Sequence, residues 1–180
     1  MTTLHQAIPT PSTTVTITRA GSLEGVLRWS TLGILLCALS SLLGGIWDIQ
    51  WHEDVGPDTF TTAPHLMLYA GAAGAGLISL AVTLLCTRLV STGRVMPHLP
   101  LVSLLRGAFW GPAGFVVTGT GAGLYLLFGL YDLWWHTIYG FDAVLGSPPH
   151  TGLGLADITM LSGSIVIGAT LIGLARRRVE

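Results

Sequence analysis

Four long apolar runs leave this chain very few ways to fold. They cover roughly Trp29 to Gln50, Pro64 to Val90, Pro112 to Trp135 and Thr151 to Ala175. About 20 consecutive apolar residues span a hydrocarbon core as a helix. Only helices or closed barrels satisfy every backbone N–H and C=O in lipid, and continuous runs of this length are helical. Composition agrees, since 9% of the residues are charged against about 25% in an ordinary soluble domain. The expected fold is all-α, an integral membrane four-helix bundle.

The few charges are segregated along the chain. All eight basic residues are Arg. Arg19 and Arg28 precede the first run, Arg88, Arg94 and Arg106 lie between the second and third, and Arg176, Arg177 and Arg178 follow the fourth. Asp48, Glu53, Asp54, Asp58, Asp132 and Asp142 fall in the other two connections, where there is no Arg. The positive-inside bias then predicts a multi-pass protein of the plasma or inner membrane with both termini cytoplasmic. Residues 1–25, rich in Thr and Pro and without the apolar core of a signal peptide, read as a flexible cytoplasmic tail. Residues 94–109 read as a cytoplasmic link lying along the membrane surface. A net charge of −1 argues against nucleic acid as a partner. Cys37 and Cys86 lie far apart in apolar runs and read as small buried hydrophobes.

The two acid-rich connections repeat one another. "WDIQWHEDVGPDTFTTAPH" begins at Trp47 and "YDLWWHTIYGFDAVLGSPPH" at Tyr131. Asp48 pairs with Asp132, Trp51 with Trp135, His52 with His136, Gly56 with Gly140 and Asp58 with Asp142. After a one-residue insertion, Pro64 and His65 pair with Pro149 and His150. The chain therefore reads as two tandem helical hairpins, residues 26–93 and 110–180. Both copies share one orientation, a parallel repeat with its pseudo-two-fold axis along the membrane normal. Trp47, Trp51, Trp134 and Trp135 suit an interfacial aromatic belt. Gly56 and Gly140 suit turns of positive φ, Pro64 and Pro149 the first turn of a returning helix, and Asp58 and Asp142 caps within the loops.

Each hairpin offers one Asp and two His at a membrane boundary. Asp48 and His52 are four residues apart, one turn along a single helix face, and His65 returns on the next helix. Asp132, His136 and His150 repeat the arrangement. Imidazole with carboxylate suits copper, zinc or iron, and three protein ligands leave a position open for water or substrate. The alternatives are two separate sites or one shared site. His5 and His98 belong to no pattern, and Glu53 and Asp54, whose counterparts are Thr137 and Ile138, read as solvated loop charges.

The spacing D-x3-H-x12-H of Asp48, His52 and His65 resembles the copper-ligand motif in a membrane subunit of the particulate methane and ammonia monooxygenases. The resemblance implies that these three residues bind copper near the membrane surface, at a site implicated in hydroxylating small substrates. The second copy is one residue longer, D-x3-H-x13-H, and the likeness covers about 20 residues of the chain.

Asp157 lies seven residues after His150, two turns deeper on the same helix face. An ionisable residue within a span usually faces the bundle interior, so Asp157 is a candidate for orienting a ligand or relaying protons. Its counterpart is Ala72. The small-residue segments "GAAGAG" (71–76), "GTGAG" (119–123) and "SGSIVIG" (162–168) suit close helix packing rather than nucleotide binding.

The leading expectation is a copper-binding membrane oxidoreductase or a subunit of one. The alternative is an accessory or metal-delivery subunit of a larger membrane complex. Assembly into such a complex or a homo-oligomer is expected in either case, and lipid is the immediate partner. Haem held by paired His suits the helix-end positions and adjacent carboxylates less well. A channel suits a chain with a single deep ionisable residue least.

Overall fold

The computed structural model describes residues 20–57, 59–94, 99–142 and 144–177. The tail as far as residue 19, Asp58, His98 and Arg178 lie outside these residues. Four helices dominate: α1 (Ala20–Asp54), α2 (Ala63–Ser91), α3 (Ala113–Tyr139) and α4 (Pro148–Arg176). All four are long and apolar enough to cross a membrane, and each runs beyond the apolar stretch that announces it. At 35 residues, α1 extends roughly 50 Å, well past a hydrocarbon core of about 30 Å. The aspartates and first histidines of the repeat therefore ride on the last turns of α1 and α3, as their i, i+4 spacing predicts.

Glycine stops both of these helices. Gly56 and Gly140 take φ values of 99° and 83°, the region closed to most side chains. Their N–H groups still bond back, to Trp51 O at 3.1 Å and His136 O at 3.0 Å. The returning helices start alike. Thr62 and Ser147 precede them in extended conformation, and Pro64 and Pro149 sit fully buried in the first turn.

The bundle is two hairpins, α1 on α2 and α3 on α4, joined mainly along α2 and α3; α1 and α4 share a much smaller contact. The repeat is visible at its centre. Ser41 and Tyr125 occupy equivalent positions, and the Tyr125 side chain meets Ser41. Cys37, Ala75, Ala122 and Met160, one from each helix, close the middle of the core. Leu35, Leu36, Leu77, Leu127, Ile158 and Ile165 stay exposed on the outside, the surface that lipid covers.

Small residues set the closest approaches, with a twist between the halves. In the first hairpin Gly71 of α2 presses on the α1 backbone, where a Cβ would stand 2.5 Å from Cys37 O and 2.7 Å from Ser41 N. In the second hairpin the equivalent of Gly71 is Ala156, and the gap is made from the other side. Gly121 of α3, the equivalent of Cys37, presses on the α4 backbone at Ala156 and Met160. The missing side chain has changed helices.

The expected link between the hairpins carries a feature that its scattered Leu and Val did not announce. Leu101–Leu104 (β1) pairs antiparallel with Phe109–Pro112 (β2). The turn places Leu105 and Arg106 at φ values of 48° and 58°. Thr87 fastens the hairpin to α2: its Oγ1 accepts from Trp110 N at 2.9 Å and donates its single proton back to Thr83 O at 2.8 Å. Pro112 then leads directly into α3.

Candidate metal centres

Both triads anticipated from the repeat assemble. Asp48, His52 and His65 form one group and Asp132, His136 and His150 the other, and within each group one atom per residue lies within 4.8 Å of the other two. In the first, Asp48 Oδ2 faces His52 Nε2 at 3.8 Å and Oδ1 faces His65 Nε2 at 3.2 Å. In the second, Asp132 Oδ2 faces His136 Nε2 at 3.6 Å and Oδ1 faces His150 Nε2 at 3.3 Å. Two separate groups form, each within its own hairpin. The second carboxylate is the more enclosed, with 7% of its side chain exposed against 19% for Asp48.

These spacings fit a shared ion. Metal–nitrogen and metal–oxygen bonds of about 2.0–2.2 Å at a tetrahedral angle put the two ligand atoms about 3.4 Å apart. The Asp–His separations straddle that value.

The outer ring nitrogens explain why the inner ones point inward. His65 Nδ1 lies 3.0 Å from Thr59 O, His136 Nδ1 3.1 Å from Gly140 O, and His150 Nδ1 2.8 Å from Val144 O. A carbonyl can only accept, so Nδ1 carries the proton and donates in each case. In the neutral ring, Nε2 is then left with its lone pair aimed at a carboxylate oxygen. Two acceptors facing each other at 3.2–3.3 Å repel unless a cation or an added proton lies between them. Backbone carbonyls that hold Nδ1–H in this way are a common support for metal-binding imidazoles.

These supporting atoms escaped the sequence reading because main-chain carbonyls carry no residue signature. One signal was available. Thr59 and Val144 are equivalent positions, each six residues before its histidine. The turns that present them match as well: Thr62 N donates to Thr59 O and Ser147 N to Val144 O, both at 3.0 Å. Ser147 Oγ adds a contact of 3.0 Å to His150 Nδ1.

Asp142 caps its loop as expected, accepting from Val144 N at 2.9 Å. Burial opposes its ionisation, but the Val144 N–H, Ser147, His150 and Trp135 together hold its carboxyl below the usual carboxylate range. Of the four tryptophans expected in a belt, Trp47 and Trp134 are exposed, while Trp51 and Trp135 are half-buried. Glu53 and Asp54 are exposed, and Gln50 Nε2 donates to Asp54 at 3.2 Å. Asp157 is half-buried on α4 and belongs to neither group.

Aromatic rings surround the imidazoles. Tyr69 lies 5.8 Å from His65 and stacks on Phe60 at 4.9 Å. Phe141, from the second loop, sits 5.1 Å from His52 of the first group and 6.3 Å from His136 of its own. The counterpart of Phe141 is Pro57, so the repeat could not announce this bridge between the groups.

No protein-family model, curated protein or solved structure matches the chain. The likeness to the monooxygenases therefore stands on the Asp, His, His pattern and its spacing alone.

Proposed function

We propose that each Asp/His/His group holds one transition metal ion, copper before zinc or iron, and that the protein is a membrane oxidoreductase or a subunit of one. The observation that carries this reading is the tautomer pattern: His65, His136 and His150 donate Nδ1–H to backbone carbonyls and turn Nε2 toward a buried or half-buried carboxylate. Mixed imidazole and carboxylate donors fit the three metals, and among divalent ions the affinity order favours copper over zinc and iron. The resemblance to the copper ligands of the monooxygenases points the same way.

Asp48 and Asp132 serve as the anionic ligands and His52, His65, His136 and His150 as the neutral ones. A bound redox-active ion would supply the electron transfer that oxygen or small-substrate activation needs. To Asp157, about two turns along α4 from His150, this reading gives the passage of protons toward the second group or a hydrogen bond that orients one of its ligands. The Arg-rich connections lie at one end of the helices and both triads at the other. The positive-inside bias accordingly puts the termini in the cytoplasm and the triads on the outer side of the cell membrane.

A second reading, an accessory or metal-delivery subunit without turnover of its own, has one observation in its favour. The open apolar groove of about 560 Å³ between α2 and α3 has no triad residue in its lining.

Elemental analysis of the purified chain tests the common premise. We expect two ions per chain, and loss of both in the double variant His52→Ala, His136→Ala. Absence of bound transition metal, or a content unchanged by the double variant, overturns the reading. Turnover by the isolated chain then separates the oxidoreductase from the accessory protein.

A further inference from the structure

The second loop is built into both metal groups at once. Its two ends are held by the second group's own ligands: Gly140 O accepts from His136 Nδ1 at 3.1 Å, and Val144 O accepts from His150 Nδ1 at 2.8 Å. Ser147 touches His150 at 3.0 Å, and Asp142 ties the interior of the loop to Val144 N at 2.9 Å. Between these anchors stands Phe141, whose ring lies 5.1 Å from His52, a ligand of the other group. The first loop has Pro57 at that position, so no ring there is the counterpart of Phe141; in the opposite direction His65 acts on Asp132 through charge alone.

We infer that the two metal groups load cooperatively, with Phe141 as the coupling element. The inference rests on the metal reading of both triads. An ion on Nε2 of His136 and His150 fixes the tautomer whose Nδ1–H must donate outward, and it makes each ring a stronger donor. The hydrogen bonds to Gly140 O and Val144 O tighten together, and the segment between them loses freedom. Phe141 is then held against His52, which restricts that imidazole to the rotamer facing Asp48. The first group binds its ion with less ordering left to do. Coupling by shared ordering needs no large displacement, and linkage requires the first ion to favour the second by the same factor. Asp48, the less enclosed carboxylate at 19% exposure, belongs to the group with more to gain.

The test is a zinc titration of the full chain in detergent, followed by calorimetry, with zinc chosen because it is redox-silent. In the wild type two ions bind with a Hill coefficient above one. Emptying the second group with His136→Ala and His150→Ala weakens the remaining first site about five- to tenfold, toward the lower end of typical coupling. Phe141→Ala reproduces that weakening while two ions still bind, now independently. Phe141→Leu, which keeps apolar bulk in the loop, gives an intermediate effect and guards against simple loop collapse. Two ions that bind independently in the wild type, or with a Hill coefficient that Phe141→Ala leaves unchanged, overturn the coupling and leave the metal sites standing. A wild-type chain that binds no zinc and no copper overturns both.

Discussion

A histidine's usefulness here is decided at the nitrogen that faces away from the site. In His65, His136 and His150 the outward nitrogen is committed to a carbonyl, so in the neutral ring the inward one is left with its lone pair. Asp142 shows the complementary economy, a carboxylate used for loop geometry rather than for coordination. Because its folded-state pKa is lowered, its stabilising contribution is present above the ordinary carboxylate value of about 3.9. That contribution fades as pH falls through the lower native value. Asp142→Asn is therefore expected to melt below the wild type at neutral pH, with the difference shrinking in acid. Thermal melts of both proteins from about pH 7 to about pH 3 check this; a gap that is constant or widens in acid would count against the role given to Asp142. At this scale the sequence named all six residues of the two triads, because side-chain chemistry recurs in register. It could not name Phe141, whose place between two imidazoles depends on how the hairpins dock.

Among the elements, close packing rests on positions where a side chain is missing. A Cβ at Gly121 would collide with the backbone at Met160 and Ala156, whereas one at Gly123 meets nothing within 4 Å. Overpacking a tight core typically costs about 1–3 kcal/mol, and backbone on the far side of the contact has little room to yield. Gly121→Leu should cost about 3 kcal/mol or more. Gly123→Leu should stay within about 0.5 kcal/mol of the wild type, as surface changes away from special features do. Melting temperatures in detergent compare the pair, and equal losses would mean that the α3–α4 contact is looser than described. The four helices were readable as apolar runs, since length and hydropathy alone decide a span. Their overrun was readable in part: the i, i+4 spacing of Asp48 and His52, and of Asp132 and His136, put the ends of α1 and α3 on a helix face, while the polar and aromatic last turns gave no hydropathy signal of how far they run. The β1–β2 hairpin was missed for a related reason: four-residue strands in a stretch broken by proline give no periodicity to detect.

The whole molecule keeps its arginines and its Asp/His groups at opposite ends of the helices, and this sets its expected orientation. With Cys37 and Cys86 replaced, Val55→Cys should react with a membrane-impermeant maleimide on intact cells. Leu105→Cys should react only after lysis; both positions are exposed. The reverse labelling would invert the topology. Metal should also tie the hairpins' outer ends into the stability of the whole. Free ion at about 100 times its Kd stabilises a one-site protein by about 2.7 kcal/mol, or roughly 5–10 °C for a chain of this size. Chelation should lower the melting temperature by a comparable amount, and identical melts with and without chelator would show that nothing had been bound. Finally, the change of helix that separates Gly71 from Gly121 gives each helix an address. Were α1 to pair with α4, Cys37 and Ala156 would meet where each hairpin reserves space for only one side chain. Were α2 to turn on to α3 the face it now lays against α1, Gly71 and Gly121 would face each other across a hole. A duplicated sequence invites its halves to trade partners as they enter the membrane, and this exchange of one glycine makes both illicit pairings worse than the correct ones.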